Sequence, residues 1–293
     1  WQINSTGTAG SSTKQLSLTI IKDPTRVAVP GATTVVGEGS KGMRAEFFDG
    51  GVDTLKMDGC DAAIPGTCLP GLAVATAQAY ADVVKSIGAA EAHYGYFGDR
   101  VVGVPGDYQA GQPSGHYSVK HVPQRSDGLN HDMLNSLAAF ARKQARSSGC
   151  YFTDTVKGQT LGTLDKPKVC YVDSKGSTVN FAGINRGAGV LVVKDTMVVG
   201  GSDIFEYDGL IVVIGEAMDM DGWTTIRGAV IMGNTGGLPA FSLGCPGLIQ
   251  YHSGRMAMVQ PLLKDWNPPS GGSSVSGTFA ASPDFTVEAW IEP

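Results

Sequence analysis

Apolar segments recur at a nearly constant interval in the second half of the chain. The five segments begin at Val169, Val190, Leu210, Ala229 and Leu248. A constant period of about 20 residues is typical of a stacked parallel coil, in which each repeat contacts only its neighbours. The sequence therefore predicts a mainly β fold with two helices and a short right-handed parallel β-solenoid.

A glycine precedes each of the last four segments, at Gly189, Gly209, Gly228 and Gly247. A coil must turn the chain back above itself, and glycine turns tightly because it has no Cβ atom to collide with its surroundings. These four residues are therefore predicted to stand at one corner of the solenoid. An antiparallel sandwich with evenly spaced strands is the alternative fold.

Three further segments between these strands alternate apolar and polar residues, as a half-buried strand does. They lie at 178–183, 196–201 and 217–222. The residues predicted to point inward are Val179, Phe181, Met197, Val199, Met218 and Met220.

The strands at 190–193 and 210–214 are apolar on both faces, which indicates that both faces are buried. One face lines the coil, and the other needs a cover. Two helical segments, 72–87 and 129–147, are predicted to supply that cover. Gly88 is the predicted end of the first helix.

The chain divides by pattern into four parts. Residues 1–14 are rich in Gly and Ser and predict a flexible segment. Residues 15–165 predict a strand-rich subdomain that contains the two helices and a long aromatic loop. The solenoid follows at 166–267, and 268–293 predict a loop and a final strand.

The five cysteines favour disulfides over a metal site. Cys60 and Cys68 bracket a short Pro/Gly turn, and Cys150 and Cys170 flank a second loop-rich stretch, which leaves Cys245 over. Without a Cys-x-x-Cys pair, this arrangement indicates an oxidising compartment. The protein is therefore predicted to be extracellular or at the cell surface.

Charge and hydropathy limit the kinds of partner that the sequence predicts. The net charge of −5 comes with no basic stripe suited to duplex DNA. The sequence given begins at Trp1, which is typical of a processed or truncated form, and it holds no apolar run long enough to span a membrane.

No catalytic signature emerges from the motifs, so a non-enzymatic protein without a cofactor is predicted. Asp219 and Asp221 resemble part of a calcium loop, but position twelve of an EF-hand falls on Val230. They remain candidates for Ca²⁺ bound between coils, with Asp203 or Asp208 contributing. The enzymatic alternative is a β-helix enzyme that acts on polysaccharides, which would need clustered carboxylates on an outer wall.

A long irregular stretch, 88–128, carries several aromatic residues among many Gly and Pro. Loops of this length in a compact domain are usually functional, mobile or covered by their own side chains. The alternative function is therefore a binding module that contacts a surface, a glycan or DNA by stacking. The candidate residues are Tyr94, Tyr96, Phe97, Tyr108 and Tyr117.

The glycine-spaced stretch 187–234 resembles the repeat of PilX-like type IV pilus accessory proteins, in which a GxGxLVV strand precedes a GLIxVxG and a GAVxxGN strand. Residues 30–74, 166–173 and 248–257, with the closing WIE at 290–292, are also similar to that family. The resemblance covers the chain from about residue 15 onward. It is a pattern of turns and strands.

The resemblance implies a minor-pilin or pilus-tip role, with the solenoid displayed outside the cell and other pilin subunits or tip proteins as partners. In that family a pilin leader and a hydrophobic helix precede such a region. The sequence given, from Trp1 onward, contains neither, and this is its main departure from the family's pattern.

Overall fold

The computed structural model of the protein describes residues 2–9, 12–19, 29–36, 43–47, 56–94, 100–104, 117–122, 129–233, 240–244 and 247–267. Helices α1, α2 and α3 are Ala77–Tyr94, His131–Ser148 and Ser253–Val259, and a 3₁₀ helix spans Gln260–Leu263. The strands are β1 (Gln2–Ala9), β2 (Ser12–Thr19), β3 (Thr33–Val36), β4 (Arg44–Phe47), β5 (Lys56–Asp58), β6 (Leu72–Val74), β7 (Val101–Val102), β8 (Val119–His121), β9 (Tyr151–Thr153), β10 (Val156–Lys157), β11 (Thr160–Leu161), β12 (Lys168–Asp173), β13 (Thr178–Ala182), β14 (Ile184–Val193), β15 (Thr196–Val199), β16 (Ile204–Val213), β17 (Ala217–Met220), β18 (Trp223–Gly233), β19 (Ala240–Leu243) and β20 (Gly247–Tyr251).

The C-terminal half forms the predicted parallel β-solenoid, of about four turns. Strands β14, β16 and β18 stack in register, and a glycine divides each of them into two straight segments. We call 184–188, 204–208 and 223–227 the exposed wall, and 190–193, 210–213 and 229–233 the covered wall. The third side, the short wall, consists of β10, β13, β15, β17, β19 and β4 in stacking order.

The corner between the exposed and covered walls is a column of three glycines. Gly189, Gly209 and Gly228 are register partners with φ of 122°, 132° and 144°, a region that side-chain-bearing residues rarely adopt. A Cβ atom on Gly209 would collide with the carbonyl oxygen of Gly189, one coil below. The column therefore permits both the bend and the close stacking of the coils.

Gly247 was predicted to be the fourth member of this column, and the structure places it elsewhere. It opens β20 and pairs with Thr224, whereas the register partner of Gly228 is Tyr251. Its even spacing from Gly228 in sequence is a coincidence of loop length, because β20 lies beside the exposed-wall half of β18 alone. The other half of β18 pairs with β3.

The six side chains predicted to point inward from the short wall are all fully buried, which confirms the alternation. They join a continuous inner core with side chains from the other two walls. Phe181, Phe205 and Tyr207 form an aromatic series within it, with ring centroids 5.1 and 6.0 Å apart along the series. Burying each such large apolar side chain contributes roughly 1.5–3 kcal/mol.

Helix α2 covers the outer face of the covered wall, as predicted. Its buried residues Leu134, Leu137, Ala141 and Ala145 pack in one cluster with side chains of β12, β14, β16 and β18. Asn130 begins the helix, because its Oδ1 accepts a hydrogen bond of 2.8 Å from the Met133 N–H. Gly149, at φ 72°, ends it.

The first predicted helix does not cover this wall. Residues 72–74 form β6, the helix begins at Ala77, and it continues through Gly88 to Tyr94. Its side chains, including Tyr80 and Val83, belong to the inner core instead. The remaining cover comes from α3 and the 3₁₀ helix, and Trp266 beyond them donates a hydrogen bond of 3.2 Å to Ser136 Oγ of α2.

The described strands of the N-terminal half continue the same stack. On the covered wall, β3, β6 and β8 follow β18, and on the exposed wall β20, β5 and β7 follow it. The opposite end of the stack is β9, so the coil begins before residue 166. Helix α2 spans about 27 Å and returns the chain from one end of the stack to the other.

At the N-terminus, residues 2–9 and 12–19 form an antiparallel pair, β1 with β2, in a sheet of their own, although 1–14 were predicted to be flexible. Their Ser and Thr residues suit a strand as well as a linker, and composition alone does not show that a pairing partner follows. The predicted final strand at 285–291 lies outside the described residues.

Both predicted disulfides are confirmed. Cys60 bonds to Cys68 within a short loop, and Cys150 bonds to Cys170, where it ties the end of α2 to β12. Cys245 lies outside the described residues. Among those residues, no helix is long and apolar enough to cross a membrane.

We expect Gly209→Ala to lower the free energy of unfolding by at least about 2 kcal/mol, since the positive φ and the adjacent carbonyl both oppose a Cβ atom. Denaturant unfolding measures the change. Gly201→Ala is the matched control, because a Cβ atom there would meet nothing within 4 Å. Equal unfolding midpoints for the two variants would contradict the role of the glycine column.

Candidate functional site

The outward side chains of the exposed wall stand in three columns. Alternate residues of β14, β16 and β18 point outward, and their neighbours along each strand point into the core. The first column is apolar and consists of Ile184, Ile204 and Trp223. The second is Arg186, Glu206 and Thr225. The third, Ala188, Asp208 and Arg227, is partly covered, since Ala188 is 1% exposed and Asp208 pairs with Arg255 of α3.

The first column is unusual because large apolar side chains on it face solvent. Trp223 is 61% exposed and Ile184 is 50% exposed. Isolated exposed apolar residues are common, whereas an aligned set on a flat wall is a candidate contact surface.

Charged groups of the exposed wall form ion pairs. Arg186 Nε donates to Glu206 Oε2 at 2.6 Å, and this pair is well exposed, at 60% and 44% of the two side chains. Asp208 Oδ1 lies 3.0 Å from Arg255 Nε of α3. Sequence patterns do not reveal this wall, because its outward residues are ordinary in type and become a surface only through register.

A second cluster of charges lies where the end of α2 meets the covered wall. The buried Asp173 carboxylate is 3.5 Å from Lys194 Nζ and 3.8 Å from Arg142, and Tyr151 donates a long hydrogen bond of 3.5 Å to it. Burial alone would raise the pKa of Asp173, but a hydrogen bond from the Lys175 N–H and the two cations outweigh it and lower the pKa.

The neighbouring aromatic groups extend this cluster. Burial, with the nearby Asp173 charge, raises the pKa of Tyr171 to about 12, so its phenol stays protonated at neutral pH. Tyr151 stacks on Tyr171 with centroids 5.9 Å apart, and the Arg146 guanidinium lies 4.9 Å from the Tyr151 ring centroid. These contacts fix the end of α2 against the coil.

A shallow depression of about 490 Å³ on the outer side of α2 is lined by Ala139, Arg142, Lys143, Arg146 and Ser147. It is open to solvent over most of its surface. Since Arg142 and Arg146 already contact Asp173 and Tyr151, the depression combines a basic surface with side chains that serve the fold.

Asp61, in the first disulfide loop, caps α3 from a distant part of the chain. Its Oδ1 accepts hydrogen bonds from the N–H groups of Ala63 at 2.9 Å and Ser253 at 3.0 Å. Burial opposes its ionisation, but hydrogen bonds from Ser253 and Ala63 and the proximity of His252 leave its pKa lowered. Although Asp61, His252 and Ser253 are close, Asp61 holds the helix end and not the His ring, so the arrangement is a cap.

The calcium candidates lie on strands and turns of the coil. Asp219 points outward from β17 and Asp221 lies in the following turn. Asp203 Oδ1 accepts a hydrogen bond of 2.7 Å from the Gly183 N–H, one coil below, and Asp208 pairs with Arg255. Within the described parts of the chain, no three His, Cys, Asp or Glu residues are grouped as metal ligands.

The aromatic candidates are only partly placed. Tyr117 is half-buried and packs against the inner core, next to β8. Tyr94 is the last residue of α1. Tyr96, Phe97 and Tyr108 lie outside the described residues, so the aromatic loop stays a prediction.

Asp173→Asn should lower the free energy of unfolding at neutral pH by about 1–3 kcal/mol, because hydrogen bonds and ion pairs to a charged group are lost. Since folding lowers the pKa of Asp173, its contribution is complete above the ordinary value of 3.8 and declines as the pH falls through the lower folded value. The stability difference between wild type and variant should therefore shrink below about pH 4.

Urea unfolding from pH 7 to pH 2 measures this dependence, with the exposed Asp165→Asn as the control. A difference that stays constant over the whole range would show that folding does not lower the pKa of Asp173.

Comparisons with protein-family models, curated proteins and solved structures found no match to this chain.

Proposed function

We propose that this chain is a non-enzymatic structural component of an extracellular type IV pilus or of its tip. The observation that supports this proposal is that, within the described residues, each segment that resembles PilX-like proteins contributes strands to one continuous stack. The described part of 187–234 supplies the strands on either side of the glycine column, 166–173 supplies the strand below, and the described parts of 30–74 and 248–257 supply strands above. The similarity therefore follows the framework of the fold.

The two disulfides support an extracellular location. Cys150 and Cys170 are both buried, and their bond joins the helix that covers the coil to the coil itself. Disulfides in such structural positions are typical of secreted and surface proteins.

The stack also suits a display role. Parallel in-register strands tie successive coils together, and side chains add bonds between coils, such as Asp203 to Gly183 and Asp195 to Ser174 at 2.8 Å. A scaffold of this kind holds surface residues at fixed spacings. The partners proposed for it are pilin subunits or tip proteins.

The enzymatic alternative requires carboxylates that are available for chemistry on an outer wall. On the exposed wall, Glu206 and Asp208 are engaged with Arg186 and Arg255. This pairing favours a structural surface.

The proposal predicts that the full-length protein co-purifies with sheared pili of its host and that deletion of its gene lowers the number of surface pili severalfold. Immunoblots of the sheared fraction and counts by electron microscopy measure these outcomes. Complementation with Gly201→Ala should restore the pili, whereas Gly209→Ala should restore fewer because less folded protein survives.

Absence of the protein from pili, together with an unchanged pilus count in the deletion strain, would overturn the proposal. Release of reducing ends from pectin or alginate by the purified chain would instead support the enzymatic alternative.

A further inference from the structure

The exposed wall places an apolar column directly beside a hydrogen-bonding column. Ile184, Ile204 and Trp223 follow one another on successive coils, and Arg186, Glu206 and Thr225 run parallel to them, two positions along each strand. Stacked strands repeat about every 4.8 Å, so each coil offers one apolar and one polar side chain at that interval.

The second column continues beyond the three long strands. Thr160 pairs with Arg186 at one end, and Leu248 and then Lys56 follow Thr225 at the other. The second column therefore spans six coils, about 24 Å, the apolar column spans three coils, about 10 Å, and the two columns lie about 7 Å apart. A strip of this size offers well under the roughly 800 Å² that each partner contributes to a stable protein interface.

The dimensions of this strip limit the kind of molecule that can bind to it. A second copy or another globular protein would find too little area on the strip alone, whereas an extended single polymer chain fits its length and width. An added β-strand is also unsuited, because the backbone of β16 already pairs on both sides and the wall presents its face.

The charges on the wall further limit the kind of molecule that it can bind. The outward charged residues of the three strands are Arg186, Arg227, Glu206 and Asp208, two of each sign. A polyanion such as nucleic acid binds through an excess of cations that displace counterions, and the outward residues of these three strands carry no such excess. Lys56 of the strip is paired with Asp58 at 2.9 Å, so the strip as a whole favours an uncharged occupant.

We propose that the exposed wall binds an uncharged, extended polysaccharide of pyranose units that lies along the apolar column. The C–H face of a sugar ring stacks on the exposed Trp223 indole, and the following rings lie over Ile204 and Ile184. The Arg186–Glu206 pair leaves further N–H groups and a second carboxylate oxygen to bond the sugar hydroxyls. This assignment is independent of the pilus proposal, since it rests on the wall alone.

Isothermal titration calorimetry of the purified chain with cellohexaose, chitohexaose and xylohexaose tests the assignment. We expect at least one of them to bind saturably, and Trp223→Ala to weaken that binding at least about tenfold, with Trp223→Phe retaining most of it. Because Trp223 is exposed, its replacement should leave the unfolding midpoint unchanged. Leu164→Ala, which removes an apolar side chain 43% exposed elsewhere on the coil, should bind like wild type.

Glu206→Ala gives a second, independent readout, because it removes a member of the hydrogen-bonding column without touching the aromatic ring. It should also weaken binding severalfold. The proposal is overturned if all three hexasaccharides fail to bind at millimolar concentration, or if binding is the same with Trp223→Ala. Tighter, salt-dependent binding of a polyanion such as oligo-dT at this wall would overturn it as well.

Discussion

Close contact between glycine backbones at one corner governs the whole stack. Parallel strands need in-register hydrogen bonds at about 4.8 Å, and the chain must also bend in each coil. At Gly189, Gly209 and Gly228 the backbone bends at positive φ while the carbonyl of one coil lies under the next glycine. Without a side chain at these positions, one strand forms two walls, and the remaining features of the coil depend on that geometry.

The covered wall lies beyond this bend. In each long strand, the half after the glycine is apolar on both faces, so its outer face needs a cover that the coil itself does not supply. Helix α2 covers the apolar outer face of this wall. It also connects the two ends of the stack, because the chain leaves β8 at one end and enters β9 at the other. The same helix therefore closes the core and determines where the coil begins.

Sequence patterns predicted the features that repeat. Alternation placed Met197, Val199 and Met218 inside, and doubly apolar strands required a cover. Features that occur once were missed. Strands β3, β5 and β6 are very short and have no period, so nothing in them indicates that they continue the stack. The Asp61 cap joins the first disulfide loop to Ser253 near the other end of the described chain, a contact that local patterns do not contain.

The candidate surface shows the same limit, because Trp223, Ile204 and Ile184 belong to three different coils and become neighbours only through register. The periodicity was sufficient to align the strands, but knowing which side of each half-strand stays exposed required the position of α2.

Strand β18 pairs with strands from distant parts of the chain. One half of it pairs with β20, near the end of the described chain, and the other half pairs with β3, in the early part of the chain. During synthesis, β3 and the coils above it emerge first, yet the strand that supports them arrives only when β18 has been completed. Folding of the first half must therefore wait for the second, and the chain acquires its final order in a late, long-range closure and not coil by coil.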